Sequence, residues 1–266
     1  MIIRQHDTRA GFFSCYTVLL YELIQFYNKT YTLPETLDTS NTFGMYKYDP
    51  KIDVTHDFFQ HHETMKTTFE PKPVTNSFGI WGFQNYNYKN IQYNELIPFI
   101  KKYFSPSDKI INLQNILLSM YNIYLDNCIA IYYRGTDKKN ETALDNFDSY
   151  YNKLIEIIAD NTDMQIIVQT DSAQFLEFMK SKLVGKNLIV IKENEVSYRD
   201  KGIHHEKSPK ENFKDIHYFF STILILSRCK HVLCSSGNVS IAMMFYRVLY
   251  TNNIANIYQN YDMAWL

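Results

Sequence analysis

The eight residues Ile131-Tyr-Tyr-Arg-Gly-Thr-Asp-Lys138 set an arginine, an aspartate and a lysine at the end of an apolar run. Cys128–Tyr133 has the composition of a buried strand, and Arg134 marks the point where that strand empties into a polar crevice. In open α/β sheets, ligands bind outside the carboxyl ends of the strands. A guanidinium at such a place offers phosphate oxygens a planar fork of donors, and an ammonium adds a point charge. A lone strand-end arginine is more often a structural ion pair, but two later segments change that balance.

The second segment is Ile166-Ile-Val-Gln-Thr-Asp-Ser172, again an apolar strand that ends in polar residues. Asp171 either caps the following helix, which is the commoner role for an aspartate there, or faces the same crevice as Arg134. The third segment runs from Leu226 to Ser240, where Ser235, Ser236 and Gly237 separate a short strand from a helix. Amides at a helix start, with hydroxyls beside them, make an anion site. A capped turn is the plain alternative. Together the three segments describe a diphosphate cradle, with Arg134 and Lys138 on one side and the Ser235–Gly237 amides on the other.

These motifs resemble the fucosyltransferase-like glycosyltransferases, the branch that includes the α-1,6-fucosyltransferases of nodulation factors and of N-glycan cores. The likeness is carried by Tyr133-Arg-Gly-Thr-Asp-Lys138, Gln169-Thr-Asp-Ser172 and Leu226-Ser-Arg-Cys-Lys-His-Val-Leu-Cys-Ser-Ser236, and it covers residues 126–250. It implies a GT-B-like α/β fold of two Rossmann-type lobes, with the donor site in the C-terminal lobe. It also implies an inverting transfer of fucose from GDP-fucose to a glycan hydroxyl, with no metal or other cofactor. Arg134 then holds the diphosphate, Asp137 and Lys138 lie beside the reacting sugar, and Ser235 and Ser236 belong to the donor site.

The sequence departs from the family at several points. Gly135 and Tyr132 stand where an arginine and a histidine are frequent. The glutamate proposed as base in the core enzymes is replaced by Thr142, with Glu141 adjacent. The acidic residue that meets guanine falls at Ile223 without a gap, or at Asp215 if an insertion intervenes. Arg9-Ala-Gly-Phe-Phe-Ser14 is a degenerate form of a glycine-rich loop leading into a helix, and Gly11 reads as a plain turn glycine. Glu141 and Asp137 are both open as the acceptor's base. Trp81, Phe83, Tyr86 and Tyr88 either stack on an acceptor glycan or merely pack.

Strands and helices must alternate to position these motifs. The pattern predicts strands over Cys128–Tyr133, Gln165–Gln169, Leu188–Ile191, His231–Cys234 and Val248–Tyr250. Between them it predicts helices over Phe147–Ala159, Ser172–Leu183, Phe213–Ser227 and Val239–Tyr246. The polar stretch Lys192–Asn212, with Arg199 and two histidines, is too long for a simple connection and is expected to close over the donor. The first half predicts helices over Phe12–Phe26, Asn94–Phe104 and Leu113–Leu125, with short strands and long loops over Thr42–Asn94. Two lobes are expected, an acceptor-side lobe over 1–125 and a nucleotide-sugar lobe over 126–266.

Composition narrows the partners. The chain has 266 residues, with 27 basic and 28 acidic side chains and a formal charge of −1, which argues against nucleic acid. No apolar run approaches the roughly 18 residues that span a bilayer. Cys15, Cys128, Cys229 and Cys234 lack zinc-like spacing and read as buried thiols of a cytoplasmic protein. No Asp-x-Asp is present, and His61-His62-Glu63 and His204-His205-Glu206 lack helical metal spacing, so they read as surface or crevice residues. The expected partners are a nucleotide sugar and an acceptor glycan. Another nucleoside-diphosphate sugar, or a catalytically silent nucleotide- or glycan-binding relative, remains open.

Overall fold

The computed structural model describes residues 9–62, 74, 90–138, 144 and 146–259. Up to residue 125 the described residues are mainly helical. They form α1 (Phe12–Thr30), α2 (Thr55–Phe58), β1 (Phe59–Gln60), α3 (Tyr93–Tyr103), β2 (Ser105–Pro106) and α4 (Asp108–Met120). β1 and β2 make one short antiparallel ladder, Phe59 facing Pro106 and Gln60 facing Ser105. The rest alternates as β3 (Cys128–Tyr133), α5 (Phe147–Ile158), β4 (Gln165–Thr170), α6 (Ala173–Lys182), β5 (Leu188–Ile189), α7 (Pro209–Arg228), β6 (His231–Cys234), α8 (Asn238–Thr251) and β7 (Ile257–Gln259).

The five strands β3–β7 form a parallel sheet in the order β5-β4-β3-β6-β7. The chain builds from β3 outward to β5, returns through α7, and continues on the other side with β6 and β7. The order therefore reverses between β3 and β6, and in doubly wound sheets that is where a crevice opens. All six residues of β3 are buried, as expected for a central strand covered on both faces.

Strand alternation sorts the core into two layers. Ile129, Ile131, Tyr133, Ile166, Val168 and Leu233 pack with Tyr150, Leu154 and Ile158 of α5 and with Phe175 and Met179 of α6. Cys128, Ala130, Tyr132, Ile167, Val232 and Cys234 face the other way, toward α7 and α8. α1, α3 and α4 join that second layer in one continuous core. All four cysteines are buried, and none of them forms a disulfide. No helix among the described residues is long and apolar enough to cross a membrane.

The structure moves several expected boundaries. Val248–Tyr250 is not a strand but the last turn of α8, and the final strand among the described residues is β7. Val248 and Tyr250 carry strand propensity, yet tertiary contacts override it. Arg247, 2% exposed, donates to the carbonyls of Ser227 (3.1 Å), Cys229 (2.6 Å) and Lys230 (3.1 Å), fixing this turn of α8 against the end of α7. α7 starts earlier than its apolar stripe, because Ser208 and Glu211 form a reciprocal capping box with Pro209 in the first turn. α4 starts at Asp108 and stops at Met120; Asn122 then takes a left-handed φ of 49°. The expected strands over Thr42–Asn94 reduce, among the described residues, to β1.

Candidate functional site

The turn after β3 is clipped to the end of β4. Asp171 Oδ1 accepts from the Gly135 N–H at 2.8 Å, and its Oδ2 accepts from Thr136 Oγ1 at 2.7 Å. Tyr133 and Thr170 are the last register pair of β3 and β4, so Arg134 and Asp171 leave the sheet side by side. Gly135 is needed for close approach. A Cβ there would stand 2.5 Å from Tyr133 Cε1 and 3.2 Å from Ser172 Cβ, and the Tyr133 ring is itself stacked on Phe175 at 4.2 Å. The turn therefore leaves no room for a side chain at position 135. Ser172, not Asp171, caps α6, accepting from the Phe175 N–H at 3.2 Å.

Arg134 is held by carboxylates. Its Nη2 donates to Asp137 Oδ1 at 3.1 Å and Oδ2 at 3.0 Å, and its Nε lies 3.8 Å from Asp171 Oδ2. That separation exceeds a hydrogen bond, and Nε is buried with no acceptor. Burial works against the Arg134 charge, but Asp137, followed by Tyr132 and Asp171, lifts the guanidinium above its ordinary value. Burial likewise raises Asp137, yet Arg134 and then Lys138 outweigh it and hold the carboxyl below the usual range.

These groups open onto a cavity of about 600 Å³, within the size range of small-molecule sites. Arg134, Asp137, Lys138, Asp171 and Asp215 all line it, as do Gln169 and Thr170 from β4. Ser235 and Ser236 do not. They are 4% and 5% exposed, and Ser236 Oγ is buried without a hydrogen-bond partner. The β6 side of the crevice is instead supplied by Asn238 and Val239, the first residues of α8. Gly237 precedes them with φ 145°, a conformation that favours glycine. Glu141, Thr142, Trp81, Phe83, Tyr86 and Tyr88 lie outside the described residues.

A second helix start reaches the same cavity. Arg9–Ser14 lines it, with Gly11 as the N-cap of α1 at an unstrained φ of −61°. Neither α1 nor α8 carries an acidic residue in its first turn, so the positive ends of both helix dipoles are uncompensated there by their own side chains.

The long segment between β5 and α7 forms the remaining wall. It is anchored by Ser197, whose N–H donates to Asp171 O at 2.8 Å, and by Asn194, whose side chain donates to Gln169 Oε1 and Thr222 Oγ1, each at 2.8 Å. His204 and His205 line the cavity, so this pair occupies the crevice. The His204 ring stacks toward Tyr46 with centroids 6.3 Å apart. Burial, then His205 and Arg134, press the His204 imidazole down to about 4, opposed by Asp137 and by the Arg9 backbone.

Asp215 pairs with Lys207, which also meets Glu195 at 2.6 Å. Burial lowers Lys207, but its hydrogen bonds to Asp215 and Glu195 outweigh that and raise it. The lining thus holds four basic and five acidic residues, and it is not a bare cationic pocket. Tyr46, Asn238 and Phe219 were missed at the sequence level; nothing local distinguishes them from core residues. No protein-family model matches the sequence, and no match was found among curated proteins.

Proposed function

We propose that this chain is an inverting, metal-independent glycosyltransferase that moves fucose from GDP-fucose to a glycan hydroxyl. The observation that carries the reading is the position of Arg134. It ends the central strand where the sheet order reverses, and it faces a ligand-sized cavity with its Nε buried and without a hydrogen-bond acceptor. A diphosphate there meets the Arg134 fork, the Lys138 charge and the amino ends of α1 and α8. Such preorganised groups stabilise charge that develops on a departing diphosphate.

In the reaction, the acceptor oxygen bonds to the anomeric carbon as the bond from that carbon to the β-phosphate oxygen breaks. The electron pair leaves with GDP. The acceptor's proton passes to a carboxylate, with Asp137 in the cavity and Glu141 as the second candidate. Asp215, which lines the cavity beside Lys207, is assigned to the guanine. The two-lobed GT-B-like arrangement belongs to the same proposal.

Calorimetric titration with GDP and UDP tests donor choice. GDP is expected to bind more tightly, and Arg134→Ala to lose binding. GDP release from GDP-fucose, with and without candidate glycans, then tests turnover. An Arg134→Ala protein that binds GDP as well as the parent would refute the assignment.

A further inference from the structure

The two carboxylates beside Arg134 are not equivalent. Asp171 is fixed by other donors, since both of its oxygens are taken by the Gly135 amide and the Thr136 hydroxyl. Asp137 is met, among the described residues, by its own backbone amide and by Thr136 Oγ1 at 3.4 Å, so no other part of the turn grips it as closely. Its grip on the guanidinium is also incomplete. Both carboxylate oxygens converge on the single nitrogen Nη2, whereas a fork-to-fork pair places one oxygen on each of two nitrogens. The adjacent Nε donor stays empty. Asp137 lines the cavity, and its side chain is 21% exposed, so it can swing away without unfolding the turn.

We propose that Asp137 is an exchangeable counter-ion of Arg134, a placeholder that a diphosphate displaces on binding. A phosphoryl group carries more charge than a carboxylate and can span Nη2 and Nε together. The exchange frees Asp137 from Arg134, the stronger of the two cations that act on it, beside the reacting sugar at the moment a proton acceptor is needed. Donor therefore precedes acceptor. This inference rests on the donor-site reading above.

Titrate GDP and inorganic pyrophosphate calorimetrically into the parent, Asp137→Asn, Asp137→Ala, Asp171→Asn and Arg134→Ala, with folding checked by circular dichroism. Both Asp137 variants are expected to bind roughly twofold to fivefold more tightly, as loss of one partly buried competing ion pair implies. Asp171→Asn is expected to bind more weakly, because its turn loosens. Equal or weaker binding by the Asp137 variants, with Arg134→Ala still deficient, overturns the placeholder and leaves the donor site standing. Tightening by Asp171→Asn as large as that by Asp137→Asn overturns it too, since charge alone then accounts for the effect. A parent that binds neither probe removes the donor site itself and the placeholder with it.

Discussion

Thr17 Oγ1 donates a 3.1 Å hydrogen bond to Asn238 Oδ1, tying the second turn of α1 to the first residue of α8 across 221 positions of sequence. The same hydroxyl lies 3.1 Å from the Ser14 carbonyl, so its proton is shared. The contact sets two helix amino ends side by side at the cavity.

Thr17→Val keeps the shape and removes the hydroxyl. Stability is expected to fall by about 1 kcal/mol, the usual worth of one partly buried hydrogen bond. GDP affinity should fall with it, because the α8 end is no longer held. Urea denaturation and calorimetry read the two effects separately.

Gly202 and Gly11 both approach His204, and they differ in room. A Cβ at Gly202 would stand 2.9 Å from His204 Cε1 and 3.4 Å from Asp137 Oδ2; at Gly11 the nearest atom, again His204 Cε1, is 3.8 Å away. Gly202→Ala must push the imidazole aside and is expected to cost about 1–3 kcal/mol and to weaken GDP binding. Gly11→Ala should stay within about 0.5 kcal/mol of the parent. Thermal melts of the two variants decide the point.

Acid should destabilise the fold earlier than its carboxylates alone require. His61, His204 and His217 are each pressed down to about 4, chiefly by burial. Their unfolded value is 6.5, so below it the unfolded chain takes up protons that the native one refuses. Stability from these groups is complete above pH 6.5 and lost as the pH falls toward 4. Each contributes a slope of up to about 1.4 kcal/mol per pH unit within that window. Replacing His204 by Gln should flatten the profile by one proton's share, as urea midpoints between pH 4 and 7.5 would reveal.

Arg247 is buried without a carboxylate partner in its hydrogen bonds; its donors go to three carbonyls at the end of α7 and in the turn before β6. Arg247→Met fills the space and leaves those acceptors bare. A loss of about 3 kcal/mol or more is expected, because bonds to a charged donor are strong and orphaned buried acceptors are costly. Chemical denaturation measures it directly.

The sequence alone determined the parallel strands β3, β4 and β6, because a strand covered on both faces writes itself as an unbroken apolar run. It also determined that Arg134 and Asp171 stand where those runs stop. Such signals are local: a few adjacent side chains decide between core and crevice. The sequence did not determine that Val248–Tyr250 continues α8, since its propensity is outweighed by Arg247 reaching back to the end of α7. It did not reveal that Asn238, Tyr46 and the Arg9–Ser14 turn would line the cavity with Arg134, or that Ser235 and Ser236 would be buried outside that lining. Those outcomes depend on contacts between residues far apart in the chain, such as Thr17 with Asn238 and Tyr46 with His204. Only the packed fold brings such residues together, because no short stretch of sequence encodes which distant surface it will meet.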